Sequence, residues 1–157
     1  MASENKLSPI ARHNMEQPSL VLAALAPAKG QSLSPVQVQK LLFLIDREIP
    51  NELGGHHFNF VPYDYGPFDN CVYNTLDLLA LGNLVESLEE PGRRWKRYRL
   101  TPEGQKRGDE VLERISKVGR DYIVAANKFV RSLSFADLVS AIYRAYPDMK
   151  VNSVFGK

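Results

Sequence analysis

Hydrophobic positions recur with the helical period in five stretches of this chain, run together in a sixth, and alternate with polar ones in three short segments. Residues 20–25, Leu-Val-Leu-Ala-Ala-Leu, are apolar nearly all round and are ended by Pro27, which predicts a short buried helix. Ser34 stands as an N-cap with Pro35 at the first helical position. The helix they open runs to about Glu48, with Val38, Leu41, Leu42, Ile45 and Ile49 on one stripe and Gln37, Lys40, Arg47 and Glu48 off it. Phe58 and Phe60 alternate with Asn59 and predict a short strand.

The rest of the chain is organised around residues 62–85. Gly66 supplies a tight turn, Pro67 suits a first helical position, and Asp69 or Asn70 serves the exposed amides behind it. Phe68, Val72, Leu76 and Leu79 form the core face of this helix, and Asn70, Tyr73, Asn74 and Asp77 form the other. Gly82 is expected as its left-handed cap. Residues 84–89 and 94–100 then read as two strands joined by a type II turn at Pro91-Gly92. Thr101 caps a further helix whose stripe, Val111, Leu112, Ile115 and Val118, ends at Gly119. Residues 121–132 are expected to bury Ile123, Ala126, Phe129 and Val130. Ser134 with Asp137 opens a last helix in a reciprocal cap, and Pro147 ends it.

The order predicts a mainly α protein with a small β-hairpin: a winged helix-turn-helix with additional C-terminal helices. Its parts are a flexible N-terminal arm (1–17), a winged-helix domain (18–118), and a C-terminal helical extension (119–157) packed on the domain or forming a dimer interface. The 157 residues, 44% of them hydrophobic, suffice for one compact domain and fall short of two. No run of eighteen apolar residues occurs, and residues 1–16 have no apolar stretch behind their charges, so a cytoplasmic protein without a membrane span or signal peptide is expected. The lone Cys71 agrees with a reducing compartment. A net charge of +2 does not announce nucleic acid, so any electrostatic argument rests on local clusters.

Residues 72–86, containing Leu78-Leu79-Ala80-Leu81-Gly82-Asn83-Leu84-Val85, and then Tyr98-Arg99-Leu100-Thr101-Pro102-Glu103-Gly104, resemble the recognition-helix-to-wing passage of bacterial regulators of the PadR and MarR kind. The resemblance covers about residues 68–115 and implies the fold more than an activity. Gln39-Lys40-Leu41-Leu42-Phe43-Leu44-Ile45-Asp46 and Tyr63-Asp64-Tyr65-Gly66-Pro67-Phe68 are similar to SocA-like, or Panacea, antitoxin-associated domains. That similarity implies toxin neutralisation or adaptor work through protein contacts. Two departures from the regulators stand out. Residues 51–66 are a long aromatic insertion where three or four residues would do, and residues 68–81 hold Asp69 and Asp77 with no Lys or Arg.

Arg93, Arg94, Lys96, Arg97 and Arg99 crowd the hairpin with Trp95 and Tyr98 among them. They are placed either to straddle phosphates or to pair with Glu86, Glu89 and Glu90 across the ribbon. Asn70, Tyr73 and Asn74 are offered to base edges, or to a protein surface. Phe135, Leu138, Ile142, Tyr143 and Tyr146 make a stripe that either closes the core or forms a two-fold dimer interface. Tyr63 and Tyr65 are read as buttresses of the turn. His56, His57 and Cys71 fall short of a zinc site, which needs four ligands at short spacings, and no catalytic motif occurs, so neither metal, cofactor nor enzyme is expected. The expectation is a non-enzymatic winged-helix DNA-binding protein, a prokaryotic transcriptional regulator on double-stranded DNA as a homodimer. The alternative is a protein-interaction module on the same fold, an antitoxin or adaptor with a protein partner such as a toxin.

Overall fold

The computed structural model describes residues 15–156, which form six helices and two antiparallel hairpins. In chain order these are α1 Gln17–Leu25, α2 Pro35–Glu48, β1 Val61–Tyr63, β2 Gly66–Phe68, α3 Asn70–Leu81, β3 Val85–Glu89, β4 Lys96–Leu100, α4 Pro102–Arg114, α5 Lys117–Ser132 and α6 Phe135–Ala145. No helix among them is long and apolar enough to cross a membrane. Most of the expected arm lies outside the described residues. Its end is docked: Met15 is buried and its carbonyl lies 2.8 Å from His57 Nε2.

A helix apolar on every side must be surrounded, and α1 is. Leu20 to Leu25 are all buried among α3, α4 and α5. The closest approach is to α4, where a Cβ added at Gly108 would lie 2.5 Å from the Leu22 carbonyl oxygen. Asn127 of α5 is fully buried and donates to the Ala24 carbonyl at 2.8 Å. Helix α2 starts at a full capping box. Gln37 N–H donates to Ser34 Oγ at 3.2 Å, and Ser34 N–H donates to Gln37 Oε1 at 2.8 Å. Leu33, just before that cap, exchanges both backbone hydrogen bonds with Tyr98 of β4 (2.8 and 2.9 Å), adding one rung to the β3–β4 ribbon.

Several boundaries differ from expectation. The short strand is Val61–Tyr63, not the Phe58–Phe60 segment; Phe58 and Phe60 still pack together, at 5.7 Å. Pro67 does not open α3. It sits in β2, paired with Pro62, and the Asp64-Tyr65 loop turns the chain so that Asp69 becomes the N-cap. The left-handed residue after α3 is Asn83 (φ 61°), one beyond Gly82. Leu84 N–H donates to Leu79 O and Asn83 N–H to Ala80 O, the paired bonds of a Schellman end. Ile115 is extended and Ser116 caps α5, so α4 stops earlier than its stripe suggested and Val118 is left 65% exposed. Phe129 is exposed as well. The hairpin turn is as expected: Gly92 has φ 76°, and Arg93 N–H donates to Glu90 O at 3.0 Å.

The C-terminal third packs on the rest of the chain. Ile123 and Val130 of α5 are fully buried, with α5 lying along α2. Helix α6 lies against β2, and the tail then returns to the first hairpin. There Val154 N–H donates to Asp64 O at 2.9 Å and Asn152 Nδ2 to Pro62 O at 3.2 Å.

Candidate functional site

Asp69 fixes where α3 begins. Its carboxylate accepts Cys71 N–H at 2.8 Å and Asn59 N–H at 2.7 Å, so one side chain caps the helix and holds the insertion beside it. Its backbone is gripped by buried Gln39 of α2, which accepts from Asp69 N–H and donates to Asp69 O, both at 3.0 Å. The same carboxylate pushes the Cys71 thiol above its ordinary pKa. Asp69→Ala is expected to lower the unfolding free energy by about 1–2 kcal/mol, measured by urea denaturation, because both amides lose their acceptor.

This anchoring presents one face of α3 outward. Asn70 and Asn74 are exposed, clear of the C-terminal third. Tyr73 is not: it is half-buried, edge-on to Phe68 at 5.7 Å, and burial pushes its hydroxyl up to about 12. It therefore braces the helix against Phe68. Two residues passed over in the sequence stand on the outward face instead, Leu78 (59% exposed) and Leu81 (83%). With Cys71 and Asn74 they form a single outward stripe at helical spacing, flanked by Asn70 and Asp77. The signal was present: both leucines fall off the Val72, Leu76, Leu79 stripe.

The hairpin cations divide into two groups. Alternation along β4 turns Tyr98 and Leu100 inward and Arg97 and Arg99 outward. Arg99 Nε pairs with Glu86 at 2.7 Å, its direct cross-strand neighbour. Arg97 donates twice to Ser32, from Nε to Oγ at 2.8 Å and from Nη2 to the carbonyl at 2.9 Å. Arg93, Arg94 and Lys96 are exposed, and none of them pairs with a carboxylate among the described residues.

The stripe on α6 is used within the chain. Leu138, Ile142 and Tyr143 are buried in the core, so of the two roles open to them they take core closure and are not available to a second copy. Tyr146 is partly buried edge-on to Phe43 at 4.9 Å and bonds Glu48 through its hydroxyl. Phe135 alone of the five stays well exposed, at 46%.

A polar cluster missed in the sequence lies under the first hairpin. Lys40, expected off the apolar stripe, is 3% exposed, and its Nζ donates to Pro67 O at 3.3 Å. Burial lowers its pKa to about 8. Beside it Gly66 has φ 106°, and the buried Tyr143 hydroxyl has no partner among the described residues. The paired histidines are held by the fold: buried Asp46 accepts His57 N–H at 2.6 Å and lies 3.2 Å from His56 Nδ1. Among the described residues no group of three or more His, Cys, Asp or Glu side chains could hold a metal ion. Comparison with protein-family models and with curated proteins finds no match for this chain.

Proposed function

We propose that this chain is a protein-interaction module on a winged-helix scaffold, of the antitoxin or adaptor kind, and that α3 meets the partner. The observation that carries this reading is the outward stripe of α3. It offers Leu78 and Leu81 beside Asp77, and residues 68–84 hold no Lys or Arg to meet a phosphate backbone. The scaffold is supported by the order of elements: α1, the Leu33 rung, α2, α3, and a ribbon whose β4 takes that rung. The antitoxin kind is supported by Lys40 and Pro67, which join the two stretches carrying that resemblance.

A second reading, binding of double-stranded DNA, is favoured by one observation, the exposed Arg93, Arg94 and Lys96 at the hairpin tip, which pair with no carboxylate among the described residues. The two readings separate by experiment. A variant with Leu78→Asp and Leu81→Asp is expected to stay folded, losing no more than about 2 kcal/mol, since both sites are exposed. It is also expected to lose a protein that co-purifies with the wild-type chain from its native host. Duplex binding at about 50 mM salt that collapses by about 200 mM, and disappears with Arg93→Glu plus Arg94→Glu, would replace our reading with the second.

A further inference from the structure

Between the hairpin tip and the starts of α2 and α6 lies a cleft of about 660 Å³, within the range of pockets that hold a bound group. Its walls bring together Tyr65, Trp95 and Phe135, which are 41%, 44% and 46% exposed, over a floor that includes Val36 and Leu138. Three aromatic rings from three separate parts of the chain thus line one space. The wall is preformed: Phe135 packs edge-on to Tyr65 at 5.2 Å and to Phe155 at 6.0 Å. The charge is lopsided. Arg93 and Arg97 line the cleft against the single acid Glu90, and Arg94 and Lys96 adjoin it in the chain. Arg97 is fixed by Ser32, whereas Arg93 lies over the Trp95 ring, at 5.1 Å, and pairs with no carboxylate among the described residues.

We infer that this cleft receives an acidic segment of the protein partner, with an apolar or aromatic side chain seated among Tyr65, Trp95 and Phe135 and a neighbouring carboxylate on Arg93. The inference rests on the interaction-module reading and adds to it the chemistry of the partner. The aromatic walls account for the apolar anchor, and the excess of guanidinium groups over carboxylates accounts for the flanking charge. The α3 stripe is a separate surface; the cleft selects by charge what α3 alone would accept by apolar contact.

Trp95 is the chain's only tryptophan, so its emission reports on the cleft directly. The full chain is titrated with an acetylated, amidated peptide of sequence Asp-Leu-Phe-Asp. A saturable emission change is expected, weakened about tenfold or more by Arg93→Glu and by the peptide Lys-Leu-Phe-Lys. Phe135→Ala is expected to weaken it further with the charge preference kept. Equal response to both peptides, or no response, overturns the inference. Response to free benzoate with none to the peptides overturns it in favour of a small-molecule cavity. Self-association in light scattering that Phe135→Glu disperses, with no peptide response, assigns the cleft to a second copy of the chain. A co-purifying partner lost on Leu78→Asp with Leu81→Asp but kept by Arg93→Glu overturns the cleft and leaves the module reading standing. Duplex binding with no peptide response overturns both.

Discussion

Gly104→Ala is expected to lower the unfolding free energy by about 3 kcal/mol, the largest loss from a single added methyl group in this fold. Gly104 is the third residue of α4 and faces the point where α3 hands over to β3. A Cβ built there would lie 1.9 Å from the Leu84 carbonyl oxygen and 2.9 Å from its carbon. Both contacts are with backbone, so no rotamer change relieves them. The Leu84 carbonyl is also committed, since it accepts Thr101 N–H at 3.1 Å at the start of the same helix. Alanine must therefore push α4 off or break that bond. Alanine's better helix propensity returns about 1 kcal/mol at most, which does not offset the clash. Gly82→Ala is the control: its Cβ would meet nothing closer than 3.7 Å, and its φ of −86° is ordinary, so a change under about 1 kcal/mol is expected. Equal stability of the Gly104→Ala and wild-type chains in urea would mean that α4 does not approach Leu84 this closely.

Lys40→Met is expected to act in the opposite direction and to make the chain more stable at pH 7. Burial favours the neutral amine, moving the lysine from an ordinary value of 10.5 to about 8. Below pH 8 the folded chain holds a charged ammonium group against one backbone carbonyl at 3.3 Å. Between pH 8 and 10.5 the unfolded chain binds more protons than the folded one, so stability rises with pH across that window. The full difference amounts to about 3 kcal/mol, absent above the window and borne as a penalty below it. Methionine keeps the length and removes the charge. The variant should therefore exceed wild type at pH 7, with the gap narrowing towards pH 10. Tyr122, raised to about 12 by burial, lowers the stability of both chains alike above pH 10 and leaves the gap between them unchanged. A gap that stays constant from pH 7 to 10 would show that Lys40 does not titrate in this window.

What could be read from the sequence was short-range chemistry. Ser34, Thr101 and Ser134 each accept the amide three residues on, as their positions before helical stripes implied. The mainly helical composition with a small hairpin, and the Pro91-Gly92 turn, were legible for the same reason. The failures share a different cause, contact at long range. Pro67 fits a first helical position on local grounds, but Pro62 pairs with it and the helix is deferred to Asn70. Lys40 falls off the apolar stripe of α2, yet the turn at Gly66 and Pro67 folds back over it and buries it. At the candidate surface Asn70 and Asn74 were read as exposed and are, while Tyr73 was claimed by Phe68. Leu78 and Leu81 were overlooked because a reading that assigns leucines to the interior has no place for two that face water.

The Leu33–Tyr98 rung joins chain segments that lie on either side of α2, the aromatic insertion and α3. Closing so wide a loop carries an entropic cost that neither the ribbon nor the α1–α2 link meets unaided, so it is satisfied only once the intervening body has condensed. The inner half of the ribbon is thereby moored to the segment that leads into α2, and residues 90–95 carry the ribbon past that mooring into the wall of the cleft.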